Sequence, residues 1–322
     1  MKQRKHMMSD SCQCHNCSAC GCHEERAPEP ATLPSPDAFL ELLHKTPVNT
    51  VCPNFYLLDH ARGCNFDCSY CFLRDPEYQN KRRHVFTDSA RILAELRDWI
   101  GMDNLEAYLA NAGNMADSLT FEKTRPLWAE MIETMREHAE MRGRPHTLLV
   151  VTKAGRESCG AFFAAKPCKN IIVSFSVNCP DAARDHESGA AAPAERLAAA
   201  RELQALGWRV RIRLDPMILG YDYSWVIDEI GMLRPERLTL GTLRADPSLL
   251  PVVGGLDIFH SLVELEEGAI WRYPLADRLQ LYRQAVDRLA KTTSIGLCEE
   301  TPEVWRALGL DVDNKTCNCN PI

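Results

Sequence analysis

The sequence predicts an α/β protein built on a parallel sheet, and three observations carry that prediction. Strand-like apolar runs alternate with amphipathic stretches at helical spacing, the alternation repeats six times, and a cysteine-rich loop follows the first strand. Strands separated by helices pair in parallel through right-handed crossovers. The strands are predicted at Phe55–Asp59, Ala107–Ala110, Thr147–Thr152, Ile171–Val177, Arg209–Leu214 and Arg237–Gly241. The intervening helices are Asp88–Ile100, with Thr87 or Asp88 as its N-cap, then Leu127–Met141, Pro193–Leu206 and Tyr223–Leu233. A last helix, Leu275–Ala290, leads to a strand at Ser294–Cys298 and a tail ending Thr316-Cys317-Asn318-Cys319.

Residues 1–36 read as separate from this pattern. Cys12, Cys14, Cys17, Cys20 and Cys22 crowd a short polar segment, and a proline-rich linker with Pro28, Pro30, Pro34 and Pro36 follows. The predicted organisation is therefore a flexible extension and linker at 1–36, one large α/β domain at 37–290 and a carboxyl-terminal element at 291–322. At 322 residues and 45% hydrophobic the chain can build one such domain with extensions. No apolar run approaches the ~20 residues needed to span a bilayer. The basic start MKQRKHMM leads into Ser9, Asp10 and Ser11 instead of an apolar core, so no secretory signal is expected. Without export, the fifteen cysteines are expected to be reduced thiols and metal ligands in a cytoplasmic protein.

The formal net charge is −7, which disfavours a nucleic-acid partner, since phosphate neutralisation demands a basic surface. Basic clusters occur at Lys81-Arg82-Arg83, which reads as a solvated loop, and at Arg209, Arg211 and Arg213. The latter three alternate along a strand and so share one face, which suits a polar interior.

The strongest signal is Cys64-Asn65-Phe66-Asp67-Cys68-Ser69-Tyr70-Cys71, three cysteines at CxxxCxxC spacing. Soft thiolates select zinc or iron–sulfur clusters. A structural zinc site wants four ligands, usually in CxxC pairs, and this spacing fits that poorly. Three thiolates suit a [4Fe–4S] cubane with one open iron. The motif resembles that of the radical SAM superfamily, in which the open iron binds S-adenosylmethionine. The resemblance implies a partial (β/α)6 barrel with the cluster loop after the first strand, Cys64, Cys68 and Cys71 as ligands, and a one-electron donor such as flavodoxin or ferredoxin.

Within that superfamily the chain is similar to the spore photoproduct lyase-like branch. The likeness rests on Arg62-Gly63-Cys64 through Cys71-Phe72-Leu73, Val151-Thr152-Lys153, Phe175-Ser176-Val177-Asn178, His186-Glu187-Ser188-Gly189 with Arg196, and Arg213-Leu214-Asp215-Pro216, in order over about residues 50–240. It implies cofactor roles. Tyr70 packs near the adenine, and Lys153 pairs with the S-adenosylmethionine carboxylate. Ser176 and Asn178 bond the ribose or methionine moiety. The loop Asn111–Ser118 receives the amino group, with Gly113 allowing close backbone approach. Asp117 and Ser118 cap the next helix or touch substrate. Arg213 and Asp215 form an ion pair, while Glu187 and Arg196 are exposed or buried partners.

The chain departs from the lyases in two places. They carry a hydrogen-donor cysteine after the second strand, whereas no cysteine occurs here between Cys71 and Cys159, and their tyrosine-rich tail motif is missing. Thiols appear instead at both ends. Cys298, Cys317 and Cys319 are expected to converge at the open end of the barrel as catalytic thiols, close enough to share one metal or metalloid. The terminal cysteines could hold a second metal or cluster, a zinc knuckle with His15 or His23, or trivalent arsenic, which favours three thiolates. Cys52, Cys159, Cys168 and Cys179 read as structural or incidental. The leading expectation is an enzyme acting on a small-molecule or thiophilic substrate, in one version transferring an aminocarboxypropyl group to arsenic. The alternative is pyrimidine photoproduct repair with Cys298 or a tail thiol as hydrogen donor.

Overall fold

The structure, a computed structural model, describes residues 37–43, 49–79, 84–267 and 269–321. The amino-terminal cysteine segment and Lys81-Arg82-Arg83 lie outside these residues. Eight strands form the central sheet in the order in which the chain makes them. They are β1 (Leu40–Leu42), β2 (Tyr56–Leu58), β3 (Leu109–Asn111), β4 (Thr147–Thr152), β5 (Ile171–Val177), β6 (Arg209–Met217), β7 (Arg237–Thr242) and β8 (Ile295–Leu297). β1 is antiparallel to β2, and all later pairs are parallel. An antiparallel bridge joins Val51, before β2, to Glu300, after β8. The sheet thus curls until its two ends are bridged, as a partial barrel does.

The predicted β4 and β5 spans are those observed. β1 escaped prediction because a three-residue strand carries no period. Five longer helices cover the outside: α1 (Ser89–Gly101), α2 (Trp128–Met135), α3 (Pro193–Leu206), α4 (Ser224–Leu233) and α5 (Leu275–Leu289). Asp88 caps α1 by accepting from the Arg91 N–H at 3.0 Å. α3 opens on Pro193 at its first turn and stops at Gly207, whose φ of +101° is left-handed. The predicted Leu127–Met141 helix is α only to Met135 and then widens to a π turn over Arg136–Glu140.

β5 shows why the sheet is parallel: all seven of its residues are buried. Ile171, Val173, Phe175 and Val177 pack into the outer core, while Ile172 joins Phe55, Leu109, Leu149 and Val151 in a smaller inner cluster. That cluster fills part of the barrel lumen. Pairing then stacks the remaining lumen residues in levels. Val151, Ser174, Arg211 and Arg237 are in register, and Ser176, Arg213, Thr239 and Gly296 form the next level toward the carboxyl ends of the strands.

The carboxyl-terminal element is part of the barrel. It supplies β8 and then sends its tail into the lumen. Arg211 Nη1 donates to the carbonyls of Asn318 (2.8 Å) and Asn320 (2.6 Å). Arg237 Nη1 donates to those of Cys317 (2.8 Å) and Asn320 (3.0 Å), and Arg209 Nη2 to that of Pro321 (3.0 Å). Ser174 Oγ donates to Asn318 Oδ1 at 2.9 Å. Glu236 balances Arg209 and Arg211. The arginine face expected to line an active site therefore holds the tail at its lower levels, and only Arg213 reaches the upper end. No helix among the described residues is long and apolar enough to cross a membrane.

Candidate active site

Active groups gather at the carboxyl ends of parallel strands because the connecting loops converge there. The cysteine loop follows β2. Ala61–Arg62 pairs with His84–Val85, and the chain turns at Gly63, whose φ of +71° suits glycine and whose N–H donates to the Met115 carbonyl at 2.8 Å. Asp67–Cys68 then pairs antiparallel with Glu187–Ser188. Cys71 N–H closes a turn onto the Cys68 carbonyl at 3.2 Å, and Arg74 Nε donates to the same carbonyl at 2.8 Å. Both Phe66 N–H (3.4 Å) and Thr120 Oγ1 (3.9 Å) lie against Cys64 Sγ.

Burial pushes the Cys64 and Cys68 thiols up to about 11 and raises that of Cys71. Without metal all three are protonated at neutral pH, so binding a metal cluster must release protons. Behind them is a fixed polar set. Glu187 and Arg196 form an ion pair at 2.6 Å with both side chains 1% exposed. Tyr70 donates to the other Glu187 oxygen. Arg196 also donates to the carbonyls of Ala191 (2.7 Å) and Ser176 (3.0 Å). Burial alone would raise the Glu187 pKa, but Lys153 and Arg196 outweigh it and hold it below the usual glutamate value. Of the exposed and buried options open in the sequence for this pair, the structure takes the buried one.

Lys153 Nζ stands over the Tyr70 ring, 5.7 Å from its centroid. Burial opposes its charge, yet Glu187 and Cys68 hold its pKa above the ordinary lysine value. Among the described residues its ammonium makes no ion pair, so it is a cation beside the cysteines with bonding capacity to spare.

The loop after β3 is organised differently from expectation. Asp117 accepts from Leu119 N–H (2.9 Å), Thr152 Oγ1 (2.8 Å) and Lys153 N–H (2.6 Å), and Ser118 Oγ accepts from Val151 N–H (2.9 Å). These two residues tie the loop to the end of β4 and cap no helix. At Gly113 an added Cβ would lie 2.8 Å from the Val151 carbonyl oxygen and 2.7 Å from Ser118 Oγ, so the close approach serves β4 packing. Asn111 Oδ1 accepts from Gly113 N–H at 2.9 Å. Asn178 is also spent internally: its amide donates to the Pro216 carbonyl (3.0 Å) and accepts from Cys179 N–H (2.9 Å). Ser176 stays on the upper lumen level, beside Arg213.

Across the lumen, Arg213 and Arg244 converge on Cys298, each with an Nη2 at 3.3 Å from its Sγ. Arg213 also pairs with Asp215, and Arg244 with Asp215 (3.1 Å) and Glu299 (2.7 Å). Asp215 packs where a Cβ on residue 241 would sit, which explains Gly241. Burial would raise the Asp215 pKa, but Arg244 and Arg213 hold it far below the usual range. Burial pushes Cys298 up to about 12 against the pull of both guanidiniums, so it is a neutral thiol.

Cys317 and Cys319 are placed within the lumen by the tail and hydrogen-bond to each other, which lowers the Cys317 pKa and raises that of Cys319. Cys319 packs against the inner cluster together with Cys52, a residue that had read as structural. Electrostatic coupling links Cys52 to Cys298 and Cys317 as well. No group of three or more metal-ligating side chains among the described residues has single-ion spacing. The tail trio is therefore not a ready three-thiolate centre, although Cys298, Cys317 and Cys319 all lie within electrostatic reach of Arg213. Arg237 and Arg244 went unnoticed in the sequence because strand pairing between distant segments sets their positions.

The cysteine loop does fit a cubane. It offers three soft donors on one strand–loop–turn, Cys68 buried and Cys64 and Cys71 half-buried, with the Lys153 ammonium beside two of them.

The class of fold is a partial α/β barrel with a cysteine loop after its first parallel strand. In particular, the chain has the fold of spore photoproduct lyase. A cysteine-to-alanine mutant of that enzyme with dinucleoside spore photoproduct matches at a TM-score of 0.62 and 18% identity, over 76% of each chain. A double mutant with bound AdoMet and the dinucleoside matches at 0.62 and 17%, over 74% of this chain and 75% of that one. Streptococcus suis SuiB bound to S-adenosylmethionine is more distant, at 0.49 and 14%. No family model and no curated relative matches the chain.

Proposed function

We propose that this protein is a radical SAM enzyme acting on a small molecule held in the upper lumen. The observation that carries the reading is the run of Cys64, Cys68 and Cys71 in the loop after β2, with the Lys153 ammonium within electrostatic reach of Cys68 and Cys71. When bound, a [4Fe–4S] cluster would deliver one electron, from a flavodoxin- or ferredoxin-like donor, to S-adenosylmethionine and so generate a carbon radical. The chain's own residues do the rest. Lys153 supplies a cation for the methionine carboxylate. Tyr70, fixed by Glu187, sets one wall, and the tail closes the lumen below and excludes water.

In its finer form the proposal names the transferred group as 3-amino-3-carboxypropyl and the acceptor as trivalent arsenic held by thiolates. Methylthioadenosine is the other product. Two electrons enter from the donor, one carbon–sulfur bond breaks, one arsenic–carbon bond forms, and one thiolate leaves, so arsenic ends trivalent. The thiols of Cys298, Cys317 and Cys319 within electrostatic reach of Arg213 support this version, as does the acidic charge. The second reading is photoproduct repair, favoured by the fold shared with spore photoproduct lyase, with Cys298 as hydrogen donor.

One experiment separates them: identify the S-adenosylmethionine product after anaerobic reconstitution, with and without arsenite. Methylthioadenosine plus an organoarsenical supports transfer. 5′-Deoxyadenosine indifferent to arsenite, with turnover of irradiated DNA, supports repair. If Cys64→Ala, Cys68→Ala and Cys71→Ala all keep the cluster and the cleavage, neither reading stands.

A further inference from the structure

We propose that Arg272, with Arg244 beside it, is the receptor for a single carboxylate carried by the substrate. This deepens the proposed function and rests on its assignment of the upper lumen as the substrate site.

Arg244–Ala245 and Trp271–Arg272 form a short antiparallel pair just beyond the end of β7, with Arg244 directly opposite Arg272. Residues paired in this way project to the same face of a ladder. Arg244 reaches Cys298, Asp215 and Glu299, so its neighbour stands over the same end of the lumen. The other arginines of this corner are matched. Arg213 pairs with Asp215, Arg244 is shared by Asp215 and Glu299, and Arg278 pairs with Glu300, which also accepts from Tyr282 at 3.0 Å. Arg272 is the exception. It is 5% exposed, its backbone pairs with Val263, and among the described residues its guanidinium makes no hydrogen bond or ion pair.

A buried guanidinium without a partner is costly, so such a group is retained where something comes to pair with it. It also borders open space. Wholly enclosed, unbonded nitrogens occur nearby at Arg213 Nε and Arg278 Nε, but none belongs to Arg272. The planar guanidinium fork matches a carboxylate in bidentate fashion. Glu300 and Asp246 lie within electrostatic reach of Arg272 without touching it, and their negative charge disfavours a doubly charged phosphate there. A monoanion is the better match.

The test uses the full-length reconstituted protein and phenylglyoxal, with modification of the Arg272 peptide followed by mass spectrometry. The probes are acetate, acetamide and inorganic phosphate, and the exposed Arg184 serves as internal control. The expected result is that acetate, at about ten times its dissociation constant, slows Arg272 modification about tenfold, while acetamide does nothing and phosphate protects less well. Three outcomes overturn the proposal: Arg272 never reacts although Arg184 does, acetate gives no protection, or phosphate protects better than acetate. The readout involves no S-adenosylmethionine cleavage. A protein that cleaves the cofactor but shows no protection loses only this inference, and one that shows protection but no cleavage loses only the proposed activity.

Discussion

Glu187 concentrates most of what happens at the residue scale. Its backbone pairs with Cys68, one carboxylate oxygen accepts from Tyr70, and the other meets Arg196. Removing one partner strands the other charge in the interior. Glu187→Gln is expected to lower stability by about 3–5 kcal/mol, read from urea unfolding of the apoprotein. Replacing both partners, Glu187→Leu with Arg196→Met, should recover most of that loss. An unchanged midpoint in the single variant would show that the pair is not enclosed as described. The three cysteines stood out in the sequence because all lie within eight residues, a spacing that suits a cluster. The pairing of Glu187 with Arg196 was not legible there. Both residues stood out, but whether they were buried depended on Cys68, more than a hundred positions earlier, drawing residue 187 into a strand pair.

At the scale of elements, the strand–helix alternation could be read because each unit repeats a strong local period. The strand at Ser294–Cys298 and the approach of the tail to the barrel were expected as well. What could not be read was how deep the tail goes, because only strand register lines up Ser174, Arg211 and Arg237 beneath it. The contact between β8 and the tail gives a sharp expectation. A Cβ at residue 296 would overlap the Thr316 carbonyl, so Gly296→Ala must push the tail out of the lumen. Carboxypeptidase should then trim the variant many times faster than the parent, and an equal rate would contradict the arrangement. Gly113→Ala is the comparison at the other side of the barrel. It loosens the loop that Asp117 ties to β4, and should cost about 1–3 kcal/mol by overpacking while leaving the tail protected.

For the whole molecule, the clearest expectation is how stability responds to acid. His60 is buried, with Nε2 at 3.2 Å from the Ala112 carbonyl and its ring edge-on to Trp128. Burial, aided by Arg125, brings its pKa down from 6.5 to about 4. Above about pH 6.5 the ring is neutral whether the chain is folded or not. Below that, the unfolded chain takes up a proton that the folded chain refuses until about pH 4. Stability therefore falls as pH drops through this window, by about 3 kcal/mol at most from this group. The depressed Asp215 and Glu187 carboxylates act further into acid, where protonation removes the stabilisation they give at neutral pH. Urea midpoints between pH 7 and pH 4.5 should show the slope, and His60→Phe should flatten it. A slope that His60→Phe leaves unaltered would assign the effect elsewhere.

The floor of the barrel has a consequence for how such a protein can change over generations. Arg209, Arg211 and Arg237 hold the tail almost wholly through main-chain carbonyls, and a carbonyl is the same whatever side chain it carries. The anchor is therefore indifferent to most substitutions in the segment it secures. Residues 317 and 319 can be exchanged for other small side chains without releasing the segment, provided the backbone keeps its course. A lineage can thus vary the side chains presented beneath the upper lumen while the scaffold that presents them stays intact.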